Sequence, residues 1–135
     1  MVAFGNNHHF QLGTGNKENV VNPTVVFENV NIAKICQGCS HSLILTTLGE
    51  VFGAGDNSRG QLGLGEEPKA KIWKSIMKER RIRSIECGYA HTIIQKENGV
   101  IEGMGYNEFN QTGIVCISLL ASVARNNSTV FWFYN

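Results

Sequence analysis

Three stretches of this chain, set fifty residues apart, share one frame of glycines. "GNNHHFQLGTG" runs from Gly5 to Gly15, "GDNSRGQLGLG" from Gly55 to Gly65, and "GYNEFNQTG" from Gly105 to Gly113. A second block repeats at the same offset. "ICQGCSHSLILTTLGEV" (Ile35 to Val51) lies over "IECGYAHTIIQKENGVI" (Ile85 to Ile101), so Gly38 meets Gly88, His41 meets His91 and Gly49 meets Gly99. A helix does not tolerate glycine at this density, and a flexible linker does not hold Leu62 and Leu64 at fixed places between glycines. A period near fifty signals supersecondary units that bury their faces by stacking.

Within a unit the pattern is β. "SLILT" (Ser42 to Thr46) passes through Thr47-Leu48-Gly49 into "EVFGAG"; "HTIIQ" passes through Glu97-Asn98-Gly99 into "VIEGMG". Asn-Gly between two strand-like runs is a hairpin signal, because both residues accept positive φ. Upstream, "TVVFE" and "IAKICQ" read as strands, with "KSIMK" and "RSIEC" as their fifty-residue partners. That makes about four short strands per unit, as in a propeller blade. One segment conflicts: Ile72, Trp73, Ile76 and Met77, between Lys69 and Arg81, have helical spacing. The register places Ile76, Met77 and Ile82 on Val26, Phe27 and Ile32, so strands are expected there.

"VFGAGDNSRGQLGLG" together with "IECGYAHTII" resembles the repeat of the regulator of chromosome condensation family. The resemblance covers residues 1–113 and implies blades of a seven-bladed β-propeller. The expected fold is therefore all-β: a partial propeller of two to three four-stranded antiparallel blades. Its units are about 1–50, 51–100 and an incomplete 101–113. Residues 114–135 do not continue the repeat and stay unassigned. Gln37 stands where the family has Cys before Gly38. Phe10 and Asn110 stand where Gly60 occupies the loop, and a bulky Phe10 fits poorly where the backbone needs positive φ.

The bulk numbers suit one soluble domain. The chain has 135 residues, 42% of them apolar, and a formal net charge of +1, which gives no global pull toward nucleic acid or anionic lipid. Neither a signal peptide nor a membrane-length apolar run is legible, so an intracellular chain, cytoplasmic or nuclear, is expected. Of the cysteines Cys36, Cys39, Cys87 and Cys116, the first two form a C-x-x-C, but no second pair completes a zinc site. They read as buried thiols, and no metal or cofactor is expected.

Two enzyme readings fail on the residues. "VFGAG" enters a Gly-x-Gly as a dinucleotide-binding turn does, but no helix can begin in the "DNSRGQLGLG" that follows. His41 and His91 recur once per unit, which suits a structural hydrogen-bonding group rather than a catalyst. Gly5, Gln11, Gly13, Gly38, His41, Gly49, Gly55, Gln61, Gly63, Gly88, His91, Gly99, Gly105, Gln111 and Gly113 are thus expected to be repeat framework, the glutamines closing the loop through amide hydrogen bonds.

Function is sought where the copies differ. His8, His9 and Phe10, then Ser58 and Arg59, then Glu108 and Phe109 fall on loops of a rigid scaffold, where binding residues commonly sit. Loop drift is the competing reading. A basic run of Lys69, Lys71, Lys74, Lys78, Arg80, Arg81 and Arg83 suits a phosphate backbone, chromatin or an acidic protein, or else a solvated blade edge where lysines discourage strand pairing. The leading expectation is a non-catalytic protein-interaction module, a piece of a larger ring. The alternative implied by the resemblance is a guanine nucleotide exchange factor, or a fragment of one, for a Ran-type small GTPase. Propellers close with about four to eight blades, so the isolated chain is expected to leave apolar blade faces open and to self-associate.

Overall fold

The computed structural model describes residues 1–77 and 81–109. They contain nine strands and no helix: β1 (Val2–Gly5), β2 (Val20–Val25), β3 (Ile32–Gln37), β4 (His41–Thr46), β5 (Val51–Asp56), β6 (Lys69–Ser75), β7 (Ile82–Cys87), β8 (His91–Lys96) and β9 (Ile101–Gly105). The strands form three antiparallel sheets in simple meander order: β1-β2, β3-β4-β5-β6 and β7-β8-β9. The middle sheet is a complete four-stranded blade. The sheet before it carries the equivalents of the last two strands of a blade, and the sheet after it the equivalents of the first three.

The fifty-residue offset holds in the pairing as well as in the sequence. Ile35 faces Ile44 as Ile85 faces Ile94, and His41 faces Gly55 as His91 faces Gly105. Both first hairpins have an irregularity at the same place, between Ile32 and Lys34 and between Ile82 and Ser84. Both tight hairpins turn on glycines at positive φ, Gly49 and Gly99.

Within the segment of helical spacing Lys69–Ser75 form a strand, β6; Ile76 and Met77 follow its end, and residues 78–80 lie outside the described ones. Pairing decided it: Phe52 meets Ser75 and Asp56 meets Lys69, so β5 imposes extended backbone on a run whose local pattern allows helix. The fourth strand lies earlier than the sequence suggested. β2 covers Val20–Val25 rather than 24–28, and β6 ends before "KSIMK" does. Pro23 sits inside β2, which has only β1 as a neighbour among the described strands, so its missing N–H costs no ladder bond on the open side.

The core forms between the second and third sheets. Leu43, Leu45, Val51, Leu62, Ala70, Ile82, Ile85 and Ile94 make one cluster, with Cys36, Cys87 and Met104 packed against it. Every residue of β4 is buried: the apolar run Leu43-Ile44-Leu45 fills both faces, and the polar His41, Ser42 and Thr46 flank it. A second seam joins the first sheet to the middle one. Phe27 meets Phe52 edge-on at 5.1 Å and Trp73 at 5.8 Å.

Candidate functional site

The loop that follows β1 and β5 is built twice by the same hydrogen bonds. Asn7 and Asn57 are buried, and each side-chain oxygen accepts from a leucine amide, Leu12 at 3.0 Å and Leu62 at 2.9 Å. Their amide nitrogens donate to backbone carbonyls further along, Asn16 at 2.7 Å and Glu67 at 2.6 Å. Gln11 and Gln61 accept from the amides of His9 and Arg59, both at 2.9 Å, and donate to Asn6 and Asp56. The side chains of Gln11 and Gln61 thus each span their loop, from a backbone amide to a neighbouring side chain. The asparagines, whose recurrence at the third loop position was the available signal, fasten it more deeply. Gln111 and Gly113 lie outside the described residues.

Phe10 shows how strongly this frame dictates backbone. Its φ is 64° and that of Gly60 is 76°. The bulky side chain is accommodated because it turns inward: Phe10 is 7% exposed, with the ammonium groups of Lys17 and Lys69 over its ring at 5.5 and 5.7 Å. Phe10 therefore leaves the set of candidate contact residues, since its ring is spent on packing.

The recurrent histidine belongs to the junction between blades. His41 is fully buried. The Thr92 hydroxyl donates to the Gln61 carbonyl at 2.8 Å, so its oxygen is left to accept from His41 Nε2 at 3.1 Å. That assigns the proton of a neutral ring to Nε2 and leaves Nδ1 buried without a hydrogen-bond partner among the described residues. Burial lowers the His41 pKa from 6.5 to about 4; Asp56 opposes the shift and His91 adds to it. Gly38 exists to admit this ring. A Cβ there would lie 2.3 Å from His41 Cε1 and 2.5 Å from the Gly88 carbonyl oxygen. Gly88 stands in the same relation to His91, at 2.0 Å. The Gly-x-x-His spacing is thus a packing rule.

The variable loop residues fall into two groups. Arg59, Glu108 and Phe109 meet at one end of the second and third sheets, together with Tyr106, which the sequence reading passed over. The Arg59 guanidinium lies 5.1 Å from the Tyr106 ring centre and 3.8 Å from the Glu108 carboxylate. The Tyr106 hydroxyl donates to Glu108 at 2.7 Å, which raises the tyrosine pKa. Phe109 stacks edge-on against Tyr106 at 6.1 Å while remaining 80% exposed. Ser58, beside them, bonds back to Asp56 at 2.8 Å. His8 and His9 are elsewhere: they line a cleft with Phe4, Gln37, Cys39 and Ser40.

The basic run does not form one surface. Lys69 is drawn to Phe10, and Lys74 pairs with Glu67. Lys71 is exposed on β6, the last strand of its sheet. Arg81 and Arg83 line a separate cleft with Thr47, Leu48 and Glu97. Lys78 and Arg80 lie outside the described residues. The C-x-x-C sulfurs part company: Cys36 faces Cys87 across the blade junction, while Cys39 is exposed beside Tyr89. Among the described residues no three His, Cys, Asp or Glu side chains are grouped to hold a metal ion. No helix among them is long and apolar enough to cross a membrane.

Comparison with known proteins gives one consistent family. The profile described as the regulator of chromosome condensation (RCC1) repeat matches residues 3–45 and 49–95, and a second profile of the same description matches 32–61. The dog X-linked retinitis pigmentosa GTPase regulator is 31% identical over 137 residues, covering 93% of this chain and 14% of its own length. Human protein RCC2 is 38% identical over 71 residues, covering 50% of this chain and 13% of its own. Among solved structures, yeast RCC1 (Prp20) with Kap60 bound superposes with a TM-score of 0.71 at 21% identity, over 78% of this chain and 28% of that one. Prp20p from Saccharomyces cerevisiae in a separate structure gives 0.65 at 24% identity, over 79% of this chain and 29% of that one. The chain thus spans about 14% of the dog relative's length, and the structural likeness establishes the fold, a set of β-propeller blades.

Proposed function

Because the chain belongs to the regulator of chromosome condensation repeat family, we propose that it serves as a non-catalytic protein-interaction module. Its contact surface is the loop cluster of Arg59, Tyr106, Glu108 and Phe109. One observation carries the reading: Phe109 holds 80% of its surface in water on top of a cluster whose other members are tied to one another and to the stapled loops below. An exposed aromatic ring with an adjacent arginine, on a scaffold that does not have to reorganise, matches the residue types that dominate binding energy at protein interfaces. His8 and His9 form a separate, more polar rim around the cleft at the first junction.

The experiment places a photoreactive side chain at position 109 and, as a control, at position 71 on exposed β6. Crosslinking to one defined protein from position 109, diminished at least tenfold by Arg59→Glu, supports the reading. Equal crosslinking from both positions contradicts it.

The second reading is nucleotide exchange on a Ran-type small GTPase. It is favoured by the company the chain keeps: the dog relative is named a GTPase regulator, and Prp20p is described with its binding to Gsp1p and histones. A nucleotide-release assay separates the two. Acceleration by sub-stoichiometric amounts of the chain replaces the first reading with the second. Histone or chromatin contact through the lysines of β6 is the weaker partner assignment, since two of those lysines are already engaged by Phe10 and Glu67. Self-association through the exposed side chains of the first sheet, Val2, Phe4, Val21 and Val25, belongs to the same proposal.

A further inference from the structure

Cys36 and Cys87 come from adjacent blades, and their sulfurs lie 2.7 Å apart. The sequence offset explains the meeting. The repeat advances by fifty residues, but these cysteines are separated by 51. Cys36 is therefore equivalent to Glu86, and Cys87 to Gln37. Successive side chains on a strand point to opposite faces. A one-residue difference in register turns the Cys36 thiol of β3 forward, toward the next blade, and the Cys87 thiol of β7 backward, toward the previous one. Cysteines placed at equal repeat positions would point the same way and stay apart. The burial of β3 agrees: Ile32, Lys34 and Cys36 are half-buried while Ala33, Ile35 and Gln37 are exposed.

We infer that Cys36 and Cys87 are a peroxide-sensitive modification site that closes into a reversible disulfide between blades. Closing the sulfurs from 2.7 Å to a bond of about 2.05 Å takes a shift well under a side chain's ordinary freedom. Both thiols are only partly buried, so a small oxidant reaches them. The hydrogen bond with Cys36, then burial, raises the Cys87 pKa, and the sulfur-to-sulfur contact places each thiol to resolve a sulfenic acid formed on the other. The thiolate of one of the two cysteines attacks one oxygen of hydrogen peroxide, the O–O bond breaks, and hydroxide leaves and takes up a proton as water. The sulfenic acid is then attacked by the sulfur of the other cysteine, its S–O bond breaks, and a second water departs with that cysteine's proton. Two thiols and one peroxide give one disulfide and two waters. A dithiol reductant reverses it by two exchanges. The bond would tie together two blades that otherwise meet through side-chain packing, the Lys34–Glu86 ion pair and a few hydrogen bonds, such as Cys39 N to the Tyr89 carbonyl.

The test treats the full chain with hydrogen peroxide, quenches free thiols with an alkylating agent, and maps peptides without reduction. The expected product is a Cys36–Cys87 linked peptide, lost on dithiol treatment. Its formation is expected to raise the melting temperature by several degrees. Cys36→Ser and Cys87→Ser remove both the link and the shift; Cys39→Ser keeps both. Because the wild-type map needs no variant, misfolding of a variant does not decide the matter. Links that scatter among Cys39, Cys116 and the other thiols, or Cys36 recovered as sulfinic acid with Cys87 alkylated, overturn the inference.

Discussion

Ile35 and Ile85 occupy one place in two consecutive units, pair with equivalent isoleucines, and differ completely in burial. Ile85 is fully buried and Ile35 is 50% exposed. The same contrast separates Phe4, 66% exposed, from its equivalent Ala54, fully buried. The difference lies in the neighbours. β7 packs on β3 and β4, and β5 is flanked by β4 and β6, whereas among the described residues β1 pairs with β2 alone. A blade's sequence supplies apolar side chains to both faces, but only stacking turns them into core. The junction between the second and third sheets is the stable part of the described chain, and the first sheet is its open end.

The largest expected effect is a substitution made at both places. Ile85→Ala removes a fully buried side chain and is expected to cost about 2–5 kcal/mol in a denaturant titration. Ile35→Ala is expected to cost under about 1 kcal/mol, since half its surface is already in water. Equal costs would break the comparison.

A proton probes the same junction. The His41 pKa falls from 6.5 to about 4 on folding, so between those values the unfolded chain binds more protons than the folded one. Stability from this group is complete above about pH 6.5, declines as the pH falls, and is spent by about pH 4. The total is on the order of 3 kcal/mol. Denaturation midpoints measured from pH 7 to pH 4 should fall accordingly, and His41→Gln should flatten the profile. A profile unchanged by that substitution would separate His41 from the junction.

The smallest effect concerns the loop. Gly60→Ala is expected to cost about 1 kcal/mol, because φ is 76° there and a Cβ is strained at that angle. Phe10 carries the same strain at φ 64° and offsets it by burial, so Phe10→Ala is expected to cost more than Gly60→Ala although it removes atoms rather than adding them. Chemical denaturation of the two variants checks the order.

The repeat made the architecture legible, since identical spacing of Gly38, His41 and Gly49 with Gly88, His91 and Gly99 fixes where hairpins fall. It also overrode the helical spacing of Ile72, Trp73, Ile76 and Met77, where local pattern alone misleads because β5 supplies the deciding hydrogen bonds. Three things were hidden. The inward turn of Phe10 brings its ring under Lys17 and under Lys69, and the second comes from a strand of the next sheet. Tyr106 joins Arg59 only because the loops of two blades come to the same end. The basic run reads as one patch in sequence but is split by strand geometry and by engagement with Phe10 and Glu67.

Hydrogen exchange of backbone amides tests the contrast between junction and open end most directly, because it reads each strand in one experiment without any substitution. The slowest exchange is expected in β4, β5 and the β7-β8 hairpin, and exchange at least about tenfold faster in β1 and β2. Protection of β1 and β2 equal to that of β4 would contradict it.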